Sequence, residues 1–221
     1  MIIWAGTRTG SSTLVNWVYQ CDLRDRGIDK YDLKNTESMP FDSLEVFNNI
    51  HKAYYRNNSD LEQILRQDFV MKIHPEFCTN EFISDIVKYS KNHRHIILYR
   101  EDSYARLLSL HYAKINNEFY GSKKGKSTYR TDKVDVNRLI DREKSLRRKY
   151  RYILSLTKGE CISYEKLYIE KDEPTLREMF PRYNLNPLLT MERYSVSKRY
   201  DEILGKEKLE AECLKLGRFK L

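Results

Sequence analysis

The sequence predicts an α/β fold in three layers, with a central, mostly parallel sheet between two layers of helices. Short apolar segments rich in β-branched residues alternate with segments of helical periodicity, which implies right-handed crossovers between parallel strands. The length of 221 residues is within the range of one α/β domain, and 40% hydrophobic with 33% charged residues is typical of a folded protein. A single domain over residues 1–221 is therefore expected.

The first predicted strand and helix open the chain. Residues 1–5 are apolar and mostly β-branched or aromatic, which indicates a strand. Small polar residues interrupt this run at 6–12, and Leu14, Val15 and Val18 then follow at helical spacing. The pattern predicts a strand, a tight loop and a helix.

The same alternation continues along the chain. In order, the further predicted elements are a helix at 44–55, a strand at 69–73, a helix capped by Thr79 or Asn80, a strand at 95–99, a helix at 104–115 capped by Asp102 or Ser103, a long loop at 120–135, a basic helix at 139–156, a strand at 161–164 and a helix at 174–180. Each strand comes before a turn and a helix, as a parallel sheet requires.

Charge and cysteine content narrow the class of protein. The net charge of +8 attracts polyanions such as nucleic acid, acidic glycans, anionic membranes or a multiply charged nucleotide. The four cysteines are far apart and form no CxxC pair, which indicates neither a zinc site nor a disulfide framework. No apolar run approaches the ~20 residues of a membrane span, and no signal peptide is recognisable. A cytoplasmic protein in a reducing compartment is expected.

The loop at residues 6–13 carries the strongest functional signal. It follows a strand and opens a helix, and its small residues let backbone N–H groups approach an anion. An empty tight turn is the alternative, but such a turn does not require Arg8 and several hydroxyls beside two glycines. Nucleotide triphosphatases place a Lys where Ser11 stands here, which argues against a kinase or ATPase. A phosphate or sulfate is the expected ligand.

Four segments together resemble one family. Arg8-Thr9-Gly10-Ser11-Ser12-Thr13 is similar to the 5′-phosphosulfate loop of the sulfotransferases that use 3′-phosphoadenosine 5′-phosphosulfate (PAPS). Three further segments follow in the same order as in that family. Lys72-Ile73-His74-Pro75 is similar to its K-x-H strand end, and residues 100–109 are similar to its 3′-phosphate loop and helix. Ser163-Tyr164-Glu165-Lys166-Leu167 is similar to its YEdL strand end. The resemblance covers about residues 1–20 and 68–180, and it implies a P-loop-like phosphosulfate-binding loop.

The resemblance also implies a role for individual residues. His74 would accept the proton of the acceptor hydroxyl, while Arg8 and Lys72 would contact the transferred group. The nucleotide would be held by Arg8, Thr9, Gly10, Ser11, Ser12, Thr13, Arg100, Ser109 and Tyr164, with Lys198 and Arg199 in place of the family's C-terminal basic stretch. No metal is implied, because Arg, Lys and a helix N-terminus supply the positive charge.

Each of these roles has a structural alternative. They are a strand cap for His74, a surface position for Lys72, a surface arginine for Arg100, a helix-face serine for Ser109, a half-buried strand tyrosine for Tyr164 and a charged helix start around Lys198 and Arg199. If His74 is not the base, His111 and Glu45 are the other candidates.

The predicted function is transfer of a sulfuryl group from PAPS to a hydroxyl acceptor, with adenosine 3′,5′-bisphosphate as product. Residues 1–20, 68–115 and 159–180 would bind the nucleotide, and residues 22–60 and 115–158 would form the acceptor cleft and lid. Their Tyr, Asn, Lys and Arg content favours a carbohydrate or glycolipid acceptor over a peptide, with no nucleic-acid partner. The alternatives are a non-catalytic protein that binds RNA or another polyanion through the same loop, and a degenerate P-loop phosphotransferase. Neither explains the ordered set of four segments.

Overall fold

Four strands form one parallel sheet. The computed structural model describes residues 1–25, 61–62, 65, 70–116, 133–190, 200 and 202–221. Within them the strands are β1 (Ile2–Ala5), β2 (Met71–Ile73), β3 (His95–Tyr99) and β4 (Glu160–Ser163), in the spatial order β2-β1-β3-β4, and every pairing is parallel. The predicted α/β fold with a parallel sheet is confirmed for this part of the chain.

The helices lie between and after the strands. They are α1 (Ser11–Asp25), α2 (Asn80–Tyr89), α3 (Ser103–Asn116), α4 (Val136–Thr157), α5 (Glu173–Met179), α6 (Asn186–Leu189) and α7 (Lys206–Leu216), with a 3₁₀ turn at Pro75–Phe77 and a π-helix at Glu165–Glu170. Of the predicted caps, the Thr79 side chain accepts from the Phe82 N–H at 3.2 Å, and that of Asp102 accepts from the Ala105 N–H at 2.9 Å.

Both faces of the sheet are covered. Successive side chains of a strand point to opposite faces, so Ile2 and Trp4 pack with α2 and α4, whereas Ile3 and Ala5 pack with α1 and the π-helix. All four of these side chains are fully buried, which explains why β1 is an uninterrupted apolar run. Because helices cover both faces, most side chains of the strands are apolar, and the polar residues of these segments lie mainly at or just after the strand ends.

Some boundaries differ from those predicted. The fourth strand was predicted to end at Tyr164, but β4 ends at Ser163. Tyr164 already has a helical backbone conformation and directly precedes the π-helix. Helix α4 begins at Val136, where the Asp135 side chain caps it. The predicted helix at 44–55, Phe69 of the second strand, most of the loop at 120–135 and the acceptor region beyond residue 25 lie outside the described residues. No helix in the described ranges is both long and apolar enough to cross a bilayer.

Candidate functional site

The four segments selected from the sequence meet at one edge of the sheet. The residues that directly follow the strands are, from β1 to β4, Gly6, His74, Arg100 and Tyr164. Because the strands are parallel, all four positions are at carboxyl ends, the edge where open α/β sheets bind ligands. Parts of the chain as distant as residues 6 and 164 therefore contribute to one edge.

The loop between β1 and α1, residues 6–10, has an unusual backbone. Arg8 has a φ of 66° and Gly10 a φ of 75°, so both lie in the left-handed region. For a residue with a side chain this conformation costs roughly 1–2 kcal/mol. The buried Thr9 hydroxyl donates to the Gly6 carbonyl at 2.8 Å and holds the loop in this shape. The Thr9 side chain therefore serves the loop, which leaves its backbone as the part available to a ligand.

Gly10 is required by its neighbours as well as by its φ. A Cβ at this position would lie 2.5 Å from Cε2 of Tyr168 and 3.2 Å from Cδ2 of Tyr164. The Tyr168 hydroxyl also donates to the Gly10 carbonyl at 2.7 Å. Gly10 thus lets the start of α1 approach the aromatic pair that follows β4, a packing reason that adds to the anion-binding reason expected from the sequence.

A buried tyrosine fixes the beginning of the loop. The Tyr150 hydroxyl of α4 accepts from the Gly6 N–H at 2.5 Å and donates to the Leu98 carbonyl of β3 at 2.9 Å. Burial raises the pKa of Tyr150, so the hydroxyl stays protonated and keeps both roles. This one group ties the β1–α1 loop to the neighbouring strand.

Charged side chains hold both ends of the Thr7 residue. Its N–H donates to Oε1 of Glu76 at 2.5 Å, and its carbonyl accepts from Nη1 of Arg106 at 3.1 Å. Oε2 of Glu76 accepts from Nε of Arg142 at 2.8 Å. Burial alone would raise the pKa of Glu76, but Arg106 and Arg142 lower it below its ordinary value. The carboxylate is therefore ionised, and it fixes the backbone just before Arg8.

Arg106 belongs to a buried ionic network between α3 and α4. Only 1% of Arg106 is exposed, and its guanidinium contacts Oε2 of Glu143 through Nε, at 3.1 Å, and through Nη2. The other Glu143 oxygen accepts from the Ser103 hydroxyl at 2.6 Å and from Nε of Arg147 at 3.1 Å. Burial would raise the pKa of Glu143, yet these partners, Arg106 first, lower it. Through the hydrogen bond from Arg106 to the Thr7 carbonyl, the loop is thus connected to a buried network of paired charges.

Arg8 and Ser109 are in direct contact. Nε of Arg8 donates to the Ser109 hydroxyl at 2.9 Å, which joins the β1–α1 loop to the middle of α3. Ser109 is buried, so its hydroxyl faces the loop rather than solvent. Two residues that the family resemblance assigns to the same nucleotide through different motifs are therefore neighbours.

Lys72 also points to the loop region. It is on β2, its side chain is buried, and its Nζ donates to the hydroxyl of Ser12 in the first turn of α1 at 2.9 Å. The alternative of a surface lysine is wrong, because the Lys72 position faces the layer that contains α1. Ser11 is buried and Ser12 exposed, while Thr13 is half-buried, so the three hydroxyl residues that start α1 differ in access to solvent.

His74 has a defined tautomer. Its Nδ1 lies 2.6 Å from the Ala5 carbonyl oxygen, and because a carbonyl only accepts, Nδ1 carries the hydrogen and Nε2 the lone pair of the neutral ring. Burial and, next, the charge of Lys72 lower the pKa of His74 below its ordinary 6.5. The imidazole is therefore neutral at neutral pH, as a proton acceptor must be. The strand-cap role and the base role are compatible, since they use different nitrogens.

Arg100 and Tyr164 form the other side of the site. The Arg100 guanidinium carbon lies 4.5 Å from the centre of the Tyr164 ring, and its Nε is 3.9 Å from Oε1 of Glu165. The Glu165 carboxylate accepts from the N–H groups of Glu101 and Asp102 at 3.0 and 3.1 Å. Nε of Arg100 is buried and has no hydrogen-bond partner among the described residues. Arg100 thus lies over the Tyr164 ring, and its Nε has no acceptor in the described ranges.

Glu76, Arg106, Arg142 and Tyr150 were not identified from the sequence. Glu76 and Arg106 are 69 and 99 residues away in sequence from Thr7, which they contact, and Tyr150 is 144 residues away from Gly6. Separations of this size are not visible as a local sequence pattern. One signal was present for Arg106, an arginine that comes just before Leu107 and Leu108 on the apolar side of a predicted helix. For Glu76 the only sign was its place two residues after His74.

Four residues that were considered for the site from the sequence are not part of the arrangement described above. Lys198, Arg199 and Glu45 lie outside the described residues, and His111 is buried in α3. In the described ranges no cluster of three or more His, Cys, Asp or Glu side chains is arranged to hold a metal ion. The chain matches no family model, no curated protein and no solved structure.

Proposed function

We propose that the chain is a sulfotransferase that binds PAPS across the carboxyl ends of the strands and moves its sulfuryl group to a hydroxyl acceptor. The contact between Arg8 and Ser109 carries this proposal. It joins the residue that the family resemblance assigns to the 5′-phosphosulfate with the one that it assigns to the 3′-phosphate. An adenosine bisphosphate carries these two groups on one ribose, so its binding residues must also be close together.

Two buried polar atoms without a hydrogen-bond partner among the described residues support the proposal of an anionic ligand at this edge. These atoms are the hydroxyl oxygen of Thr7 and Nε of Arg100. Buried polar atoms in proteins are nearly always paired, and leaving one unpaired costs about 1–3 kcal/mol. Both are in segments assigned to the nucleotide, and both can donate to phosphate oxygens. The P-loop-like role of the β1–α1 loop is part of the same proposal.

In the proposed reaction, each group has a separate task. The acceptor oxygen forms a bond to sulfur as the bond from sulfur to the phosphate oxygen breaks, and adenosine 3′,5′-bisphosphate leaves with that electron pair. Nε2 of His74 takes the proton of the acceptor hydroxyl, while Arg8 and Lys72 stabilise charge that grows on the leaving phosphate and the sulfuryl oxygens. Glu76 and Tyr150 keep the loop that carries Arg8 in place and touch no reacting atom.

The test measures binding and turnover separately. Calorimetry with adenosine 3′,5′-bisphosphate should show binding without magnesium, and labelled PAPS with a panel of glycans, tyrosyl peptides and phenols should show transfer. Arg8→Ala should reduce turnover by about 10²–10³-fold. His74→Asn retains a donor for the Ala5 carbonyl but removes the base, so we expect turnover to fall by about 10²–10⁴-fold with nearly unchanged nucleotide affinity.

Arg148→Ala is the matched control, because Arg148 is exposed on α4 and outside the site. Absence of any affinity for the bisphosphate would remove the proposal. Binding that falls steeply with salt and ignores the 3′-phosphate would instead support a polyanion-binding protein, and magnesium-dependent binding of ATP would support a phosphotransferase.

A further inference from the structure

Phe77 stands on the surface beside the proposed base. It ends the 3₁₀ turn that follows β2, and 57% of it is exposed. The centre of its ring lies 6.1 Å from that of the His74 ring, and the two planes are nearly perpendicular, at 87°. A single exposed apolar side chain is ordinary on a protein, so its neighbours decide whether it has a function.

Helix α4 brings two cations to the turn that carries Phe77. Nε of Arg142 donates to Glu76, and the guanidinium carbon of Arg142 lies 5.3 Å from the centre of the Phe77 ring. Two helical turns later, Nζ of Lys149 donates to the carbonyl of Cys78 at 2.5 Å. These contacts fix Arg142 over the Phe77 ring and Lys149 at the residue that follows Phe77, so the arrangement does not depend on a ligand.

The charge that this surface presents to solvent is positive. Only 3% of the Glu76 side chain is exposed, whereas 30% of the Arg142 side chain is exposed. Glu76 therefore orients Arg142 without offering its own charge to a ligand. The surface combines one flat apolar ring, one oriented guanidinium and, next to them, the imidazole of the proposed base.

On the basis of the proposed function, we infer that Phe77 and Arg142 form the acceptor subsite and that the acceptor is a sugar ring carrying a carboxylate or sulfate. The C–H face of a pyranose packs against the Phe77 ring, and its anionic group pairs with the Arg142 guanidinium. A hydroxyl of that ring then lies beside His74, which takes its proton as the oxygen attacks sulfur.

The shape of the surface favours a sugar over a tyrosyl side chain. An aromatic residue gains most of its binding energy by burying about 150–250 Å², which needs walls on both sides of the ring. Among the described residues Phe77 offers one platform, since Arg142 lies over its ring and more than half of the side chain is exposed. A pyranose needs only one apolar wall, because its hydroxyls stay hydrated. The net charge of +8 further favours an anionic chain.

Direct binding tests the subsite without any turnover. The probes are a hexasaccharide of alternating uronic acid and N-acetylhexosamine, a neutral glucose hexasaccharide and an acidic tyrosyl peptide, each titrated at constant ionic strength. We expect the acidic hexasaccharide to bind the wild type best. Phe77→Ala should weaken its binding about tenfold, and Phe77→Trp should restore it, as expected for stacking on a ring face.

Arg142→Gln should remove the preference for the acidic over the neutral hexasaccharide, whereas Arg148→Gln on the same helix should keep it. The affinity for adenosine 3′,5′-bisphosphate is measured for every variant and should not change in Phe77→Ala. If Phe77→Ala binds the acidic hexasaccharide as the wild type does, or if only the tyrosyl peptide depends on Phe77, the inference is wrong. If the hexasaccharide binds through Phe77 but the bisphosphate does not bind, the proposed function fails and the sugar subsite stands.

Discussion

On the side of the site formed by β1 and β2, charged and polar side chains bond to the loop backbone, whereas on the side formed by β3 and β4 the Arg100 side chain packs on a ring and its Nε hydrogen-bonds to no described residue. Thr7 is held at both ends by Glu76 and Arg106, and Gly6 by Tyr150. Arg100, in contrast, stacks on Tyr164, and its buried Nε has no acceptor in the described part of the chain.

This difference separates residues that shape the site from residues that can bind a ligand. A loop whose backbone is already bonded needs little reorganisation when an anion arrives, which lowers the cost of binding. A cation with an unused donor gains a hydrogen bond from the same anion. The supporting residues Glu76, Arg106 and Tyr150 should therefore contribute mainly to stability, and Arg100 mainly to affinity.

Arg106→Ala should have the largest effect on stability. It removes one partner of a buried ion pair and leaves Glu143 with less compensation, so the free energy of unfolding should fall by about 3–5 kcal/mol. Arg177→Ala is the control, because its ion pair with Glu173 is exposed and is worth less than about 1 kcal/mol. Urea denaturation followed by circular dichroism measures both. Equal losses in the two variants would contradict the role given to the buried network.

Arg100→Gln should change affinity more than stability. The variant loses the charge-assisted contact proposed for the nucleotide, so the dissociation constant of adenosine 3′,5′-bisphosphate should rise by about 10- to 100-fold. The midpoint of urea denaturation should stay close to that of the wild type, because the contacts of the Arg100 side chain with the described residues are a long 3.9 Å contact with Glu165 and the ring contact with Tyr164. If Arg100→Gln is clearly less stable than the wild type but binds the bisphosphate equally well, Arg100 contributes to stability and not to affinity, which contradicts the prediction.

Lys72→Met should lower turnover, and it should also shift the pH dependence of the remaining turnover, which is the smallest of the three expected effects. The pKa of His74 is lowered by burial and then by Lys72, so turnover should be lost as pH falls through that lowered pKa and should level off above it. Without the lysine charge the pKa rises toward 6.5, and the midpoint of the profile moves to higher pH. Lys91→Met, an exposed lysine away from the site, should leave the midpoint in place. A midpoint that moves to lower pH would contradict His74 as the base.

The sequence predicted the strands better than their polar partners. The strand at 95–99 was predicted with its observed bounds, and β1 within one residue, because an apolar run between polar turns is a local pattern. Arg8, His74 and Arg100 were placed at one edge because parallel strands end there together. Arg8 and Ser109 were both predicted to bind the nucleotide, but a hydrogen bond between the two side chains was not predicted.

The supporting residues could not be predicted in the same way. Tyr150 and Glu143 are on a helix that reads as basic and solvated over most of its length, yet both are buried. Their burial depends on which face of α4 turns toward the sheet and α3. That orientation is set by packing between distant elements, and a periodicity in one helix does not contain it.

By itself, the sequence determined the order of strands and helices and the positions where small or charged residues follow a strand. These features depend on backbone preferences and hydrophobic periodicity within a few residues. Only the tertiary structure decided that Gly6 meets Tyr150, that Thr7 lies between Glu76 and Arg106, and that Phe77 stands beside His74 next to Arg142. Hydrogen bonds and ion pairs act over a few ångströms, so they form where the order of strands and the packing of helices bring the groups together.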